Sequence, residues 1–501
     1  MNSFFTLKSV IIFIVIYFII YINQNYIFHQ LVSKPKIYLW SKRNGNLEKF
    51  KEFQNNIDKF GNFENYVNSL ETGKIHSFIS PIFDKSLIMK KYSPNQFNPE
   101  IVSKEDSLPF IINMFTTPRT IFGNWIGDSI FRADIKNRGK NNKYKEYYMQ
   151  GLMKEDLDQY RTLFSNYFDD YFKKGLEVPY FDYIQETNIN LTYLIHFNEM
   201  PDKRDLDDTL LFIDVVRTYA FKQDYLDRQL FNLQQFYKRT MLIIEKTSGK
   251  DCLVGKWLKY GNFNKNEIFM EFIHNILGMA INWTNLMYSY ILEYGKGSIP
   301  VIPDNPEYLK PYLYETIRFL NPVKFTTSKI KKPELFGEKK DSNCMLIHDL
   351  KLPTRLPELF GLETDKFKIE RLTDYKKYTV KLDTVRLGTV RQDTVRQDTV
   401  KLDTVRLGTV KLDNKCPFSG FFESPKGAKV ICGMELYEKE GYTCFGEGYR
   451  RCPGEHLTLI LLEEMAKHFK HLEFEIKMKE GKSENIPYVW GFVDKNLLIL
   501  I

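Results

Sequence analysis

The chain has 501 residues, 43% of them hydrophobic, with 40 Phe, 31 Tyr and a formal net charge of +8. That is ample apolar material for a large core. A charge this modest suits an anionic membrane surface, an acidic protein partner or a plain solvated surface, and gives no ground for nucleic-acid binding. The six cysteines (Cys252, Cys344, Cys416, Cys432, Cys444 and Cys452) form no C-x-x-C pair. Their scatter argues against a zinc site and a disulfide framework, and for a reducing compartment.

Residues 10–22 are unbroken apolar or Tyr, and Phe4, Phe5 and Leu7 extend the run past Lys8. The length lies near the lower limit for crossing a bilayer. Asn23, Gln24 and Asn25 follow where a cleavage site would want small residues. Lys34, Lys36 and Lys42 outweigh Lys8 and the amino terminus, so the positive-inside bias puts the rest of the chain in the cytosol. The expectation is an uncleaved transmembrane anchor over 1–22. A cleaved secretion signal is the alternative.

Beyond it the pattern is mostly helical. Leu157, Tyr160, Leu163, Phe164, Tyr167, Phe168 and Phe172 predict a helix over 156–172, which carries Arg161. Asn264 with Glu267 forms a capping-box pattern. It opens an apolar helix that runs to Tyr294 and is stopped by Gly295. A helix of about thirty residues spans roughly 45 Å. Pro311 is expected to open another helix, and Pro322 to end it near Asn321. On that helix Glu315 and Arg318 share a face. Taken alone, such a pair reads as a solvated surface contact worth little.

Residues 379–413 are seven tandem units of Thr-Val-[Lys/Arg]-[Leu/Gln]-[Asp/Gly]. Period five matches neither strand nor helix. A small β-solenoid would need Val and Leu inside, and Gln392 and Gln397 break that core. The favoured reading is a solvated low-complexity insertion without a catalytic role. Residues 427–432 read as one further strand, and alternation over 472–477 as another. Little else alternates at length.

Between those two strands lies Phe445-Gly446-Glu447-Gly448-Tyr449-Arg450-Arg451-Cys452-Pro453-Gly454. Given 40 Phe, 27 Gly and 6 Cys, the set Phe445, Gly448, Cys452 and Gly454 would co-occur by chance in roughly one chain in a thousand. The pattern suits thiolate ligation. A thiolate, not a thiol, binds metal, glycines permit close backbone approach, and a helix over 455–466 would aim its positive end at the sulfur. A glycine-rich turn before a helix, with an inert cysteine, is the plain alternative.

This loop meets every fixed position of the Phe-Gly-x-Gly-x-Arg-x-Cys-x-Gly pattern, and the chain thereby resembles the cytochrome P-450 family. Glu315-Thr316-Ile317-Arg318, followed by Pro322-Val323, resembles the family's Glu-x-x-Arg helix. Glu370-Arg371 resembles its later Arg-bearing segment, with Pro and Phe lost; a plain surface Glu-Arg is the alternative. The resemblance implies a mainly α fold with small β-sheets (α+β), one haem-binding domain over 30–501, and 379–413 as an insertion within it. It implies haem as cofactor, Cys452 as its axial ligand, and Phe445, Gly448 and Gly454 as the loop that shapes the ligand. Glu315, Arg318 and Arg371 become the buried scaffold. Arg450 suits a haem propionate, because guanidinium pairs carboxylates bidentately. Arg161 falls where the family has a second propionate contact, with Leu157 in place of a Trp; a solvated helix Arg is the alternative.

The implied activity is a monooxygenase that inserts one atom of dioxygen into a lipophilic molecule, with electrons from an NADPH-dependent reductase. The implied setting is the endoplasmic reticulum, single-pass, facing the cytosol. The distal helix departs from the family. Gly278 is present, but no acid follows it, and Ile or Trp stands where Thr is expected. Thr284 and Asn282 are the remaining candidates for delivering protons, or they are ordinary helix residues. Two other readings therefore stay open: an isomerase or dehydratase of lipid hydroperoxides that needs no reductase, and a haem-binding protein without turnover.

Overall fold

The computed structural model describes residues 12–17, 45–61, 63–79, 85–92, 101–103, 148, 152, 154–218, 223–261, 263–340, 344–372, 379–380, 422–423, 429–430, 436–437, 441–446, 452–479, 485–486, 493–494 and 497–501. Helices dominate, as the sequence patterns predict, and five small sheets accompany them among the described residues. Of the N-terminal run, 12–17 are helical and exposed, and the rest lies outside the described residues. Among the described residues no helix is long and apolar enough to cross a membrane.

The main core is helical and aromatic. Helix Lys154–Tyr171 buries Tyr160, Phe164, Tyr167 and Phe168 against helix Glu455–Phe469 and its neighbours. Helix Tyr180–Phe197 is buried on nearly every side, in keeping with its mixed apolar and small polar sequence. The predicted capping box is present: the Asn264 side chain accepts from the Glu267 amide, and Glu267 accepts from the Asn264 amide. The helix it opens is not uniform. Lys265–Asn275 is α-helical, Ile276–Ile281 forms a π-helical turn, and Asn282–Gly295 resumes the α form. No residue type in the run Ile-Leu-Gly-Met-Ala-Ile announces that widening.

The next helix begins five residues earlier than expected. Pro306, not Pro311, occupies its first turn; the Asn305 side chain caps the Glu307 amide, and Pro311 lies inside Pro306–Leu320. A capping Asn beside the first Pro outweighs the second Pro as a start signal. The helix ends as predicted, on Asn321 at a left-handed φ of 43°, with Pro322 behind it.

One five-stranded sheet escapes the alternation rule. Its order is Ile75–Phe78, Lys85–Met89, Cys344–Asp349, Phe325–Ile330 and Val102–Ser103, with the second and third strands parallel. Ile88, Phe325 and Ile347 pack on Phe50, Phe53 and Phe63, while Leu87, Met89 and Leu346 pack on the other face. Covered on both faces, such strands need no polar positions. The C-terminal strand starts at Glu475, three residues later than its alternation suggests, because Leu472 and Phe474 pack into the main core instead. It pairs with Leu497–Leu500, which pairs with Glu177–Pro179.

Of 427–432 the structure describes Lys429–Val430, a two-residue strand on Phe422–Glu423. Of the pentapeptide stretch it describes Thr379–Val380, which pairs antiparallel with Leu436–Tyr437. The remaining repeat units lie outside the described residues.

Candidate active site

Helix Pro306–Leu320 carries the most densely bonded charges among the described residues. Glu315 and Arg318 are both 0% exposed and bind bidentately, with Arg318 Nε on Glu315 Oε2 and Nη2 on Oε1, each at 2.7 Å. Arg318 Nη1 also donates to the carbonyls of Thr354 at 3.0 Å and Thr364 at 2.9 Å. The amide of Lys368 donates to Glu315 Oε1 at 3.0 Å. Arg371, on the short 3-10 turn Ile369–Leu372, places Nε 3.5 Å from the same Oε1 and donates to the Phe360, Leu362 and Glu363 carbonyls. The predicted scaffold residues Glu315, Arg318 and Arg371 are therefore together. A fourth member has no sequence signal: Arg355 donates to the Phe319 carbonyl at 2.6 Å and to Thr364. Burial, then Arg318 beside it, pulls its pKa down to about 10. A buried pair replaces its hydration only when every remaining donor finds an acceptor, and the backbone carbonyls here serve that end.

The cysteine loop is stitched to this helix. Tyr442 Oη donates to the Tyr314 carbonyl and Thr443 Oγ1 to the Leu350 carbonyl, both at 2.8 Å. The Phe445 ring meets Tyr314 edge-on at 6.4 Å. Tyr314 Oη in turn donates to Glu455 Oε1 at 2.8 Å, at the start of helix Glu455–Phe469. The Cys452 amide donates to the Phe445 carbonyl at 2.7 Å, closing the loop. Gly446 sits at φ 76°, a region that favours glycine. A Cβ on Gly454 would stand 3.8 Å from Cys452 Sγ, in direct contact with the sulfur. Gly448 and Arg450 lie outside the described residues.

Two cysteines of this region contrast. Cys444 is buried, its Sγ on the Ile317 carbonyl at 3.8 Å, and burial pushes its thiol up to about 12. It is inert at neutral pH. Cys452 is half-buried, in no disulfide, and lies immediately before a helix N-terminus. Of the two, it is the less buried and the one beside a helix N-terminus, whose dipole favours a thiolate.

The distal helix reaches the same place. Trp283 Nε1 donates to Thr458 Oγ1 at 3.0 Å, tying it to the helix behind Cys452. Residues 268–288 are buried save Leu277, Gly278 and Asn282, which are half-buried at the π turn. The two proton-delivery candidates separate here. Thr284 is fully buried, donates to the Ala280 carbonyl and accepts from Asn188 Nδ2 at 3.4 Å. Its hydroxyl is taken up inside the helix packing. Asn282 keeps an accessible side.

Arg161 has partners other than a propionate. Its Nη1 pairs with Glu463 at 2.8 Å and with Glu464, both on helix Glu455–Phe469. Helices Lys154–Tyr171 and Glu455–Phe469 lie side by side, and that register carries Arg161 past the Cys452 end to two carboxylates that neutralise it. Sequence reasoning missed a buried polar chain: Tyr148 Oη donates to Asn275 Oδ1 at 2.7 Å, and Asn275 Nδ2 meets His196 Nε2 at 2.8 Å. Its members lie far apart in sequence, so no local pattern links them.

No protein-family model matches the chain, and no curated protein does. Solved structures do match. The retinoic-acid-bound cyanobacterial CYP120A1 aligns with a TM-score of 0.57 at 13% identity, covering 85% of this chain and 91% of that one. The haem domain of cytochrome P-450DA gives 0.56 at 12%, covering 85% and 89%. A 6-coordinated cytochrome P-450 from Thermus thermophilus gives 0.50 at 12%, covering 83% and 92%. The chain has the cytochrome P-450 fold. Its residues fit the haem that this fold and the loop pattern imply. Half-buried Cys452 stands just before the positive end of a helix, with Gly454 beside its sulfur and partly exposed Leu277 and Gly278 on the distal helix.

Proposed function

We propose that the chain is a haem-thiolate monooxygenase, inserting one atom of dioxygen into a lipophilic small molecule with electrons from an NADPH-dependent reductase. The observation that carries this is half-buried Cys452 before a helix N-terminus, in a loop closed by the Cys452–Phe445 hydrogen bond and set in a cytochrome P-450 fold. Thiolate-ligated haem, when bound, favours O–O cleavage by pushing electron density onto iron.

The chain's own residues have separate tasks. Cys452 donates the sulfur, and Phe445 holds the loop through its carbonyl and its Tyr314 contact. Glu315, Arg318 and Arg371 keep the segments beneath it in place. Arg450 would pair a propionate. Leu277 and Gly278 are half-buried on the distal helix beside Ile276, Met279, Ala280 and Ile281, whose side chains would give a ligand apolar walls. A lipophilic substrate suits those walls, and one neighbour of the same fold holds retinoic acid. Residues 1–22 serve as a single-pass anchor in the endoplasmic reticulum, with the domain in the cytosol. Membrane extraction at alkaline pH, with and without residues 1–22, tests that placement.

The deciding experiment is a reduced carbon-monoxide difference spectrum. The wild type should give the red-shifted Soret band of a thiolate complex, and Cys452→Ala should lose it. A wild-type band without the red shift overturns the proposal.

One observation favours a second reading. Thr284, the alcohol nearest the expected position, is fully buried and commits its proton to the Ala280 carbonyl while Asn188 donates to it. An isomerase or dehydratase of lipid hydroperoxides needs no proton delivery, because its substrate brings the O–O bond. Turnover of a fatty-acid hydroperoxide without reductase or NADPH selects it. Product only with both selects the monooxygenase. Neither, with the red-shifted band intact, leaves a haem-binding protein without turnover.

A further inference from the structure

Two bonds of the site end on one short turn, residues 350–354, which contains the helical segment Lys351–Thr354. The Leu350 carbonyl accepts from Thr443 Oγ1 at 2.8 Å, two residues before Phe445 in the cysteine loop. The Thr354 carbonyl accepts from Arg318 Nη1 at 3.0 Å. Wherever this turn sits, the cysteine loop and the Glu315–Arg318 scaffold are both referred to it.

Asp349 holds the turn at its start. Its Oδ1 accepts from the amides of Lys351 and Leu352, each at 3.1 Å. These are amides that a helical turn leaves without partners of its own. Its Oδ2 pairs with Lys90 Nζ at 2.9 Å, and the Asp349 and Lys90 side chains are only 4% and 6% exposed. Lys90 is fixed in turn: its amide donates to the Lys74 carbonyl at 3.1 Å, and its carbonyl accepts from the Gly73 amide at 2.9 Å. Asp349 ends strand Cys344–Asp349, opposite Phe325. One carboxylate oxygen is thus given to the five-stranded sheet and the other to the turn. An apolar pair would stabilise the fold about as well as a buried ion pair. It could not hold two amides and an ammonium at set distances.

We propose that Asp349 is a positioning residue for the axial ligand. Through the Leu350 carbonyl it places Thr443, and with it the Phe445 carbonyl that receives the Cys452 amide. Through the Thr354 carbonyl it sets Arg318 against the same reference. Asp349 acts on Cys452 only through these bonds. That Cys452 meets haem iron rests on the function proposed above; that Asp349 places its loop does not.

The test is a double-mutant cycle between Asp349 and Thr443 in the haem-loaded protein. One readout is hydrogen exchange at the amides of Gly446 and Cys452, which donate to the Thr443 and Phe445 carbonyls, with the amides of helix Glu455–Phe469 as control. The other is the midpoint potential of the haem. Asp349→Ala and Thr443→Val should each speed exchange at the two loop amides about tenfold, the loss of roughly one hydrogen bond, and shift the potential in the same direction. The helix amides should not change. Combined, the two should do no more than either alone, because the second removes a bond to a turn already released. Lys90→Met leaves a buried carboxylate unpaired and should disturb the loop as well; it takes the place of Asp349→Ala in the cycle if that variant does not fold. Adding Asp349→Asn to Lys90→Met should restore wild-type exchange and potential, since the amide oxygen still accepts from Lys351 and Leu352 and no charge is stranded. A merely structural pair would loosen the helix amides along with the loop. That result, an unchanged loop in Asp349→Ala, or an additive rise of about a hundredfold in the double variant, overturns the inference. A wild-type carbon-monoxide band without the red shift removes the haem reading and the potential with it, while loop exchange still judges Asp349.

Discussion

The segments beneath Cys452 and the helix that passes its other side are held by different forces. Beneath it, one carboxylate is shared by Arg318 and Arg371, with Arg355 packed beside them, and backbone carbonyls accept from several of the other guanidinium donors. Ion pairs on the distal helix, such as Lys265–Glu245, lie at its exposed ends, and the bonds named in its buried stretch are neutral: Tyr148 to Asn275, Asn275 to His196, Asn188 to Thr284 and Trp283 to Thr458. A buried charge network tolerates almost no displacement, since each lost partner exposes an uncompensated ion. Neutral bonds cost less to rearrange. The side that must present a sulfur at a fixed point is built from the first kind, and the side that must leave room for a ligand from the second.

The largest test of this contrast is Glu315→Ala, which strands buried Arg318 without its carboxylate and removes one from beside Arg371. It should cost about 3–5 kcal/mol, read by urea unfolding, and abolish the thiolate carbon-monoxide band. A loss under about 1 kcal/mol would mean that the ion pair does not set the scaffold.

His196 gives the next effect, on the distal side. Its folded pKa of about 4 lies below the ordinary 6.5, so between those values the unfolded chain binds the extra proton. Stability is thus full above pH 6.5 and falls as pH drops toward 4, by up to about 3 kcal/mol. Unfolding across that window should lose this slope in His196→Asn; an unchanged slope would assign it to other groups.

Thr284→Val should cost only about 1 kcal/mol and leave product formed per NADPH unchanged. A drop in that yield would return the hydroxyl to proton delivery and weaken the contrast. Arg161→Gln should be smallest. Its side chain is 37% exposed, so removing it should cost at most about 1 kcal/mol, less in high salt, with haem content unaltered. A fall in haem affinity would restore the propionate role.

The cysteine loop and Glu315–Arg318 are legible in the sequence because each is a short run whose residues act on one another or on one atom. Arg371 is found only through its order relative to those two. What stays hidden depends on distant partners. Arg161 looks the same whether it meets a propionate or Glu463, and only the register of two packed helices decides. Tyr148, Asn275 and His196 lie far apart in sequence, and separate parts of the chain must converge before they form a chain of bonds. Strands Lys85–Met89 and Cys344–Asp349 carry no alternation because both of their faces are covered. The π turn has no composition of its own.

The two-residue ribbon of Thr379–Val380 on Leu436–Tyr437 bears on how this chain can change over generations. It joins the two ends of the stretch that contains the tandem units, ahead of the Cys452 loop. Doubling the length of a stretch between joined ends costs only about 0.6 kcal/mol. Near-identical tandem units are gained and lost whole when a gene is copied, and each such event alters length by one unit while the clasp stays where it is. The number of units can therefore drift between lineages without passing through the stability of the fold.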